Sequence, residues 1–385
     1  MPQEVKRVNK LEKLIAQLCP NGVEYKKIKD VYKRLKGTPI TAAKMKEIEN
    51  PDGEIKIFAG GKTVIDAAED DIPNANITRV PAVLVQSRGV IDAIYYDKPF
   101  TFKNEMWAYT ADEKLSVKFL YYVLKNNMEY FRTAASGMGS MPQISLSVTE
   151  EFTIPLPPLP VQREIVRILD NFTELTAELT AELTARRKQY EYYRDALLTA
   201  SDNIEYQTLP EISENLDCQR KPVTKGNREA GEYPYYGASG IVDYVSDYIF
   251  DGDYLLVSED GANLLARSTP IAFSISGKNW VNNHAHVLKF DTAIMQKYVE
   301  IYLNSIDLSK YISGGAQPKL NQDNLNKIPI PVPPFNKVKI IVAILEKFSA
   351  LCNDLTSGLP AEIEARKKQY EYYRDKLLTF QEAKI

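Results

Sequence analysis

Two glycine-containing stretches have part of the residue pattern that nucleotide-binding loops require. Gly60-Gly61-Lys62-Thr63 ends like a GxxxxGK[ST] phosphate loop, but Lys56 stands where the first glycine belongs. Gly137-Met138-Gly139 begins a GxGxxG pattern, but Pro142 occupies the place of the last glycine. Neither stretch therefore predicts a nucleotide site, and we expect the chain to use no cofactor.

Two further motifs have the letters of nucleic-acid enzymes without the required arrangement. Pro51–Lys56 has the residue order of a metal-dependent nuclease, but Asp52 and Glu54 are too close together to be carboxylates on separate strands. Pro333-Pro334-Phe335 matches the end of an amino-methyltransferase loop, but Val332 stands where that loop has Asn or Asp. We find no nucleophile beside a general base. The sequence therefore predicts no active site.

The few histidines and cysteines do not form a metal-binding pattern. His284 and His286 alternate along a predicted strand, and no third histidine or nearby cysteine accompanies them. A strand histidine with its own hydrogen bonds is therefore the default expectation. The cysteines are scattered, at Cys19, Cys218 and Cys352. Because no CxxC pair occurs, we predict neither a zinc site nor a disulfide framework, and we expect a reduced, cytoplasmic protein.

Length and composition predict an ordinary globular chain. The 385 residues are enough for two or three domains, and 44% hydrophobic with 26% charged residues is typical of globular proteins. No apolar run approaches the ~18 residues of a membrane span, and the start of the chain lacks a signal peptide's apolar core. The net charge of -3 argues against a uniformly basic nucleic-acid coat. A local basic face remains compatible with it.

The strongest pattern is an internal repeat near the end of each half. Ala185–Thr199 returns as Ala365–Thr379, and the two copies differ only at positions 187/367 and 196/376. A core alone does not require such identity, because cores tolerate apolar swaps of similar volume. Exposed residue types match as well, which favours one surface used twice by the same kind of partner. A recent duplication would give the same pattern.

The repeat extends over two globular segments. Val23-Glu24-Tyr25 resembles Ile204-Glu205-Tyr206 at an offset of 181, close to the 180 of the helical repeat. Each segment continues with a strand–glycine turn–strand pattern, a buried strand that runs into a polar glycine turn, an amphipathic helix and a glycine loop with a proline. Each then reaches a proline-rich stretch, Ile154–Pro160 or Ile328–Pro334, that predicts a stiff extended connector before a helix.

The helices that follow carry heptad-like seams of apolar residues. The first seam runs through positions 165, 168, 172, 175, 179, 183, 190, 193 and 197, and the second through 341, 344, 348, 351, 355, 359, 363, 370, 373 and 377. We expect two long helices packed on each other. The chain passes from one globular domain to the other and back, so they should run antiparallel. A break is expected at Gly358-Leu359-Pro360, because proline disrupts a helix interior.

These patterns predict an α+β protein with a circular, pseudo-twofold internal repeat. Two mixed α/β globular domains are separated by two long antiparallel coiled-coil helices. The predicted segments are an N-terminal helical segment at 1–22, a first globular domain at 23–153, a central long helix at 154–200, a second globular domain at 201–327 and a C-terminal long helix at 328–385.

The whole chain resembles the specificity subunits of type I restriction–modification systems. The most specific elements are the Thr-Ala-Glu-Leu units at 176–183 and the pairing of proline hinges with Gln-Tyr-Glu-Tyr-Tyr-Arg-Asp helices. The resemblance implies two target-recognition domains that each recognise half of a bipartite site in double-stranded DNA. It also implies that the helices set the spacing and dock two methyltransferase subunits, and that a motor/endonuclease subunit joins for cleavage. Catalysis would lie in those partners.

Candidate contact residues follow from residue type and position on turns, since Lys and Arg suit phosphate and Arg, Lys, Asn and Gln suit base edges. In the first domain the DNA-binding candidates are Lys62, Gln86, Ser87, Arg88, Lys103 and Asn104. In the second they are Arg220, Lys221, Lys225, Arg228, Ser239, Asn263, Arg267, Lys278 and Asn279. The partner-docking candidates are Arg186, Arg187, Lys188, Tyr192, Arg194, Arg366, Lys367, Lys368, Tyr372 and Arg374.

Two other functions stay open at this level. A coiled-coil assembly adaptor without DNA binding would show no salt-dependent affinity for duplex DNA, whereas phosphate contacts weaken steeply with salt. A self-contained nuclease or methyltransferase is disfavoured by the missing motifs. Activity of the purified chain with metal or methyl donor would revive it.

Overall fold

The chain forms two compact units. The computed structural model describes residues 3–136, 141–199, 204–315 and 317–383, with side chains from residue 10 onward. Unit 1 comprises Met1–Leu179 and Ile363–Ile385, and unit 2 comprises Thr180–Glu362. The predicted glycine stretch at 137–139 lies outside the described residues. Within the described ranges, no helix has the length and apolar character needed to cross a bilayer.

Unit 1 begins with the predicted N-terminal helix and continues as mixed α and β structure. Its helices are α1 (Gln3–Leu18), α2 (Ile28–Val31), α3 (Ala42–Ile48), α4 (Lys114–Asn126), α5 (Met128–Thr133), α6 (Leu146–Glu150), the first part of α7 (Leu159–Thr199) and most of α13 (Leu359–Leu378). Its strands are β1 (Glu24–Lys27), β2 (Lys33–Leu35), β3 (Ile55–Phe58), β4 (Val64–Ala67), β5 (Ala82–Gln86), β6 (Asp92–Tyr96), β7 (Phe100–Phe102), β8 (Trp107–Thr110) and β9 (Thr153–Leu156).

Unit 2 repeats this plan. Its helices are the second part of α7, then α8 (Leu209–Ile212), α9 (Asn263–Ala266), α10 (Ala293–Ser305), α11 (Gln322–Leu325) and α12 (Phe335–Asn353), with the start of α13 (Leu359–Leu378). Its strands are β10 (Glu205–Gln207), β11 (Glu214–Asn215), β12 (Ala230–Gly237), β13 (Gly240–Val245), β14 (Phe250–Asp251), β15 (Tyr254–Ser258), β16 (Ala272–Ile275), β17 (Lys278–Val281), β18 (Ala285–Lys289) and β19 (Ile330–Val332).

Each unit is built around one fully buried strand. Sheet order is β2-β8-β5-β6 in unit 1 and β11-β18-β15-β16 in unit 2, so β5 and β15 are both internal strands. Both predicted apolar runs are buried along their whole length. Successive side chains of a strand point to opposite faces. Accordingly Val83 and Val85 join a core with α4, while Leu84 joins a core beside β3 and β7.

The predicted strand–glycine turn–strand patterns form a second small sheet in each unit. Strand β3 pairs antiparallel with β4 and parallel with β7, and β12 pairs antiparallel with β13 and parallel with β17. The turns are Gly60–Lys62 in unit 1 and Ala238–Ser239 in unit 2. The turns of these two sheets carry the DNA-binding candidates Lys62 and Ser239.

The proline-rich stretches form paired strands as well as leading into helices. In unit 1, β9 pairs antiparallel with β1, with Pro155 opposite Tyr25. In unit 2, β19 pairs with β10, with Pro331 opposite Tyr206. Proline is tolerated there because each pair is an isolated two-stranded ribbon with free edges. Each globular segment therefore begins and ends on the same ribbon.

Helix α7 is continuous over 41 residues and carries the predicted seam. Residues 159–179 belong to unit 1, where Phe172 stacks on Tyr373 of α13 at a ring-centroid distance of 5.5 Å. Residues 180–199 belong to unit 2, where Tyr193 lies 6.0 Å from Phe348 of α12. Within each unit, α7 therefore packs against one helix of the second helical segment. Ile344 and Leu351 of the predicted second seam are 38% and 40% exposed, so the seam prediction is wrong at these two positions.

The second helical segment is interrupted where proline predicted a break. Helix α12 ends at Asn353 and α13 begins at Leu359, so Pro360 lies in the first turn of a new helix, where its missing N–H costs nothing. The side chain of Asp354 accepts hydrogen bonds from Thr356 and Ser357, which lowers the pKa of Asp354. An ideal Cβ on Gly358 would lie 2.6 Å from the carbonyl oxygen of Ala350, which explains the glycine.

Candidate nucleic-acid interface

Two predicted glycine turns meet in unit 1. The turn at 60–62 contains two consecutive left-handed residues, Gly61 (φ 71°) and Lys62 (φ 74°). An ideal Cβ on Gly89 would lie 3.5 Å from Cα of Gly61, so the two turns touch. The Glu105 carboxylate accepts the backbone N–H of Gly60 at 3.0 Å. The turns that carry Lys62 and Arg88 therefore form one surface.

A further loop completes this surface. The backbone N–H of Gly89 donates to Pro142 O at 2.9 Å, and that of Ile144 donates to Ser87 O at 2.9 Å. Ser136 and Gln143 exchange two backbone hydrogen bonds at 2.8 and 3.1 Å. We call residues 87–89 together with the described residues of 136–144 the unit 1 loop frame.

Unit 2 has the same frame at the corresponding residues. Gly261 N donates to Pro318 O at 3.1 Å, and Leu320 N donates to Glu259 O at 2.8 Å. Ser313 and Lys319 exchange two backbone hydrogen bonds at 2.8 and 2.7 Å. We call residues 259–261 together with the described residues of 313–320 the unit 2 loop frame. Each hydrogen bond of one frame has its counterpart in the other.

The predicted DNA contacts of unit 1 divide into exposed and internal groups. Lys62, Arg88 and Asn104 are exposed. Gln86 and Ser87 are buried, with 3% and 1% of their surface exposed, because Gln86 ends the internal strand β5 and Ser87 follows it at the base of the frame. We therefore place the first three at the surface and the other two beneath it.

Lys103 is held by an acidic neighbour in the same region. Its ammonium lies 2.8 Å from the Glu105 carboxylate. Burial alone would raise the pKa of Glu105, but the Lys103 ammonium and the Gly60 N–H lower it overall. Glu105 therefore stays ionised and ties the 60–62 turn to the segment that carries Lys103 and Asn104.

The unit 2 frame rests on a buried ionic network. His286 is 1% exposed, and its Nδ1 lies 2.6 Å from Asp217 while its Nε2 lies 2.8 Å from Leu320 O. Both ring nitrogens thus lie within hydrogen-bond distance of an oxygen atom. Arg220 bridges Asp217 and Glu259 at 3.2 and 2.7 Å. The predicted strand histidine with its own hydrogen bonds is confirmed for His286, whereas His284 precedes β18 and is exposed.

The charges of this network compensate one another. Burial opposes ionisation of Asp217, but His286 and Arg220 lower its pKa overall. Burial likewise opposes ionisation of Glu259, whose pKa is lowered by Arg220, His286 and Lys319. Asp217, Glu259 and His286 have ligand atoms within 4.8 Å of one another. Because Arg220 and Lys319 already neutralise the carboxylates, the arrangement is that of an internal ion network.

Several unit 2 candidates point their polar atoms into the protein. Arg228 contacts Asp243 at 3.1 Å and lies 4.3 Å from the Tyr235 ring centroid. Arg267 donates to Ile306 O at 2.8 Å, at the end of α10, and burial lowers its pKa. Asn279 is fully buried in β17. These side chains, with Arg220, stabilise the unit itself.

Other unit 2 candidates face solvent. Lys278 lies above the Tyr248 ring, 4.5 Å from its centroid. Asn263 holds a turn through Thr269 O at 3.0 Å and is half-buried. The remaining exposed candidates are Lys221, Lys225 and Ser239. In unit 2 the cationic surface thus comes from lysines rather than from the arginines.

Two frame residues, and His284 beside the unit 2 frame, were absent from the predicted set. Gln143 and Lys319 occupy equivalent positions in the two frames, and Lys319 is half-exposed beside Glu259, 3.1 Å away. His284 is exposed next to Asp260 at 2.8 Å. The proline that closes each glycine loop was the available signal, because it marks the same place in both halves.

The partner-docking candidates adopt the same surface in both helical copies. Tyr192 and Tyr372 are 70% and 63% exposed. Arg186 donates to Gln189 at 2.9 Å, and Arg366 donates to Gln369 at 3.2 Å. The exposed cations that complete the two surfaces are Arg187, Lys188, Lys367 and Lys368.

One pair of docking candidates differs between the copies. The side chains of Arg194 and Arg374 are similarly buried, 20% and 22% exposed, and each pairs with the aspartate that follows it. Arg374 also donates to Asn126 of α4 at 2.8 Å. Arg194 instead lines an open polar cavity of about 820 Å³ beside α10 and α12.

Comparison with known proteins agrees with this architecture. A family model described as the type I restriction modification DNA specificity domain matches residues 20–186 and again 201–365. A putative type I restriction enzyme specificity subunit of Haemophilus influenzae is 34% identical over 199 residues, which span 51% of each chain. The EcoR124I/EcoR124II specificity subunit of Escherichia coli is 36% identical over 295 residues, 70% of this chain and 72% of that protein.

A solved structure shares the fold. The crystal structure of the S subunit of a type I restriction–modification system from M. genitalium superposes with a TM-score of 0.59 at 19% identity. The superposition covers 93% of this chain and 96% of that one. The predicted fold class, two mixed α/β domains with long coiled-coil helices, is confirmed. Two matched domains account for most of the sequence, and the chain belongs to the family of type I restriction–modification DNA specificity proteins.

Proposed function

We propose that this chain is the DNA-specificity subunit of a type I restriction–modification assembly. Residues 23–153 recognise one half of a bipartite DNA site, and residues 201–327 recognise the other half. The observation that supports this most strongly is the loop frame, which is built twice with matching backbone hydrogen bonds and different side chains. A constant frame with variable side chains suits two domains that recognise different sequences.

The DNA contacts of the first domain are assigned to its exposed turn residues. Lys62 and Arg88 carry charge on two touching turns, and Asn104 follows on the adjoining segment. Lysine and arginine supply phosphate contacts, while arginine and asparagine also match base edges in the major groove. Lys103, Gln86 and Ser87 hold these turns in position.

The second domain uses a different set. Lys221, Lys225 and Lys278 are exposed cations for phosphate, and Ser239 and Lys319 lie on the hairpin turn and the loop frame. Arg220, Arg228, Arg267, Asn263 and Asn279 act as supporting residues. The net charge of -3 is compatible with DNA binding because these cations are local.

The long helices act as a spacer. Helix α7 has 41 residues, which at ~1.5 Å per residue is about 60 Å, or roughly two turns of DNA at ~34–36 Å each. The Tyr-rich surfaces at 186–194 and 366–374 each dock one methyltransferase subunit, and motor/endonuclease subunits join for cleavage. Similar exposure of the two surfaces favours two copies of one partner.

Inserting one Thr-Ala-Glu-Leu unit after Leu183 tests the spacer. Four residues add ~6 Å, under two base pairs, so the unrecognised gap should lengthen by one or two base pairs. Both half-sites should stay unchanged. Base-resolution methylation mapping in cells that supply the methyltransferase subunit measures both. Altered half-sites would contradict the assignment of recognition to the globular domains.

A coiled-coil adaptor without DNA binding is the other candidate, favoured only by the exposed helical surfaces. It predicts no affinity for duplex DNA at any salt concentration. The DNA-specificity function predicts affinity that falls linearly with salt on a logarithmic scale. Fluorescence anisotropy of a labelled duplex between 50 and 200 mM salt, roughly the range over which such contacts weaken, separates the two.

A further inference from the structure

The hairpin β12–β13 of unit 2 exposes apolar side chains along its free edge. Strand β13 is the outermost strand of its sheet, whose order is β13-β12-β17-β14. Ile241, Val242 and Tyr244 on this strand are 47%, 55% and 51% exposed, and we call them the β13 edge. Contiguous exposed apolar residues of this kind mark interaction sites.

The corresponding strand of unit 1 supplies an internal control for this exposure. Strand β4 is likewise the outermost strand of its sheet. Its first residue, Val64, is 40% exposed, but Ile65 and Ala67 are only 7% and 0% exposed. The exposed apolar edge is therefore a property of unit 2 and not of this kind of hairpin in general.

A β-bulge in unit 2 accounts for part of this difference. Ile241 lies opposite Tyr236, but the next residue of β13 that lies opposite a residue of β12 is Asp243. Val242 between them has no partner on β12, whereas the pairing of β3 with β4 in unit 1 is uninterrupted. A bulge re-aims the extra side chain and twists the edge away from pairing with another strand. The β13 edge is therefore suited to contact through its side chains rather than through its backbone.

The β13 edge is continuous with the unit 2 loop frame. An ideal Cβ on Gly237 would lie 3.1 Å from Cγ1 of Val242 and 3.4 Å from Nδ2 of Asn282. The Asn282 side chain accepts the backbone N–H of His284 at 2.8 Å. The backbone N–H of Glu259, in the frame, donates to His284 O at 2.9 Å. The edge and the frame therefore border each other on the surface of unit 2.

Charge distinguishes the two ends of the hairpin. At the open end, Glu229, Glu232 and Asp247 are exposed and would repel DNA phosphate. Nearer the turn, the only acidic residue of β13 is Asp243, whose carboxylate lies 3.1 Å from the Arg228 guanidinium. The turn is therefore the end of the hairpin that DNA can approach, and the β13 edge begins there.

We propose that the β13 edge contacts the 5-methyl groups of thymine in the major groove of the second half-site. This inference rests on the proposed function, in which residues 201–327 recognise that half-site. The major groove, ~12 Å wide, admits a two-stranded β-ribbon, and apolar side chains there distinguish thymine by its methyl group. Ile241 and Val242 are then specificity-determining residues, which a search restricted to polar and basic side chains does not find. Unit 1 has only Val64 at the corresponding edge, so the two domains select bases by different chemistry.

Uracil substitution tests the proposal on the full chain, because uracil lacks only the 5-methyl group of thymine. Three duplexes carry the site obtained by methylation mapping, one unmodified and two with uracil for thymine in one half-site each, and fluorescence anisotropy measures their binding. Uracil in the second half-site should weaken wild-type binding about fourfold for each contacted methyl group. Ile241→Ser/Val242→Ser should bind the unmodified and the substituted duplex equally. Val64→Ser, at the exposed edge of unit 1, is the matched control and should retain the wild-type discrimination.

Unchanged discrimination by the double variant would overturn the proposal, as would wild-type binding that is indifferent to uracil or a second half-site without thymine. A protein partner on this edge predicts such indifference. Folding is checked by the melting temperature of each variant, and Val242→Thr, which keeps the shape of the side chain, should lose part of the discrimination. Salt-dependent DNA binding without a uracil effect refutes the methyl contact alone. Absence of salt-dependent binding to any duplex refutes the specificity function, and this inference with it.

Discussion

The two loop frames share a backbone and differ in what lies beneath it. In unit 1, Ser87 and Trp107 occupy places held in unit 2 by Glu259 and His286, because Val85 pairs with Trp107 as Val257 pairs with His286. Trp107 donates to Thr149 at 3.3 Å, a neutral contact, whereas His286 belongs to an ionic network. The same loop geometry is thus supported by aromatic packing in one unit and by buried charge in the other.

This difference indicates which parts of the fold are free to vary. The frame uses backbone N–H and C=O groups, which any sequence supplies, so side chains above and below it can change without loss of the loops. Side chains above the frame and supporting residues below it can then differ independently between the two domains. Four tests follow, from the largest expected effect to the smallest.

His286→Ala should destabilise unit 2 selectively. Removing the imidazole leaves Asp217 with one hydrogen-bond partner fewer in a buried site, at a cost of about 3 kcal/mol. Hydrogen–deuterium exchange should accelerate roughly a hundredfold in peptides from β15 and β18, while peptides from β5 stay protected. His284→Ala is the matched control because His284 is exposed, and its loss should change little. Equal acceleration in both units would contradict a local role.

Asp217→Asn should make the free energy of unfolding of unit 2 less dependent on pH in the acidic range. The pKa of Asp217 is lowered in the folded protein, so its stabilisation is complete above its ordinary pKa of ~4 and disappears as pH falls through the lowered value. At neutral pH the variant should unfold more easily by about 2 kcal/mol. Urea unfolding at several pH values should show the difference narrowing below about pH 4. A constant difference would show that the Asp217 charge is not the cause.

Arg88→Ala and Lys278→Ala should act on opposite halves of the DNA site. Loss of an arginine that contacts a base relaxes preference at that position by ~1–3 kcal/mol, and loss of a phosphate contact weakens binding uniformly and reduces the salt slope by about one. Binding of duplexes mutated in either half measures both effects. Glu191→Gln, on the exposed surface of α7, controls for nonspecific charge changes. If Arg88→Ala altered both halves equally, the domains would not recognise DNA separately.

Gly89→Ala and Gly261→Ala should have similar, small effects on stability. Both glycines have positive φ, 77° and 108°, so a side chain costs about 1 kcal/mol of backbone strain in each unit. Gly226→Ala is the control, because its Cβ would meet nothing within 4 Å and its φ is not left-handed. Chemical unfolding measures all three. A large cost in one unit only would mean that the frames are not equivalent.

Local pattern and repetition were sufficient to predict the architecture. The duplicated Tyr-rich helix predicted two like surfaces, the continuous apolar runs predicted the buried strands β5 and β15, and Pro360 predicted the break between α12 and α13. These signals are contained in short stretches. Each needs only helical or strand periodicity, or the missing N–H of proline, to be interpreted.

Which DNA-binding candidates lie at the surface could not be predicted, because their exposure depends on contacts with residues far along the chain. Arg220 faces Glu259 and Ala285, and Arg267 faces the end of α10 at Ile306, all far along the chain. A turn arginine looks the same in sequence whether it meets a carboxylate or solvent. The proline stretch at 154–160 was predicted as a connector because its strand partner β1 lies more than a hundred residues earlier.

The central claim is that each domain recognises its own half-site on a shared frame. The ribbons β1–β9 and β10–β19 close the domains, so Glu24–Leu156 can replace Glu205–Val332 at matched strand ends. Base-resolution methylation mapping should compare wild type with this replacement in cells that supply the methyltransferase subunit. The account predicts that the second half-site disappears and the first recurs as its inverted repeat. Retention of the original second half-site would contradict it.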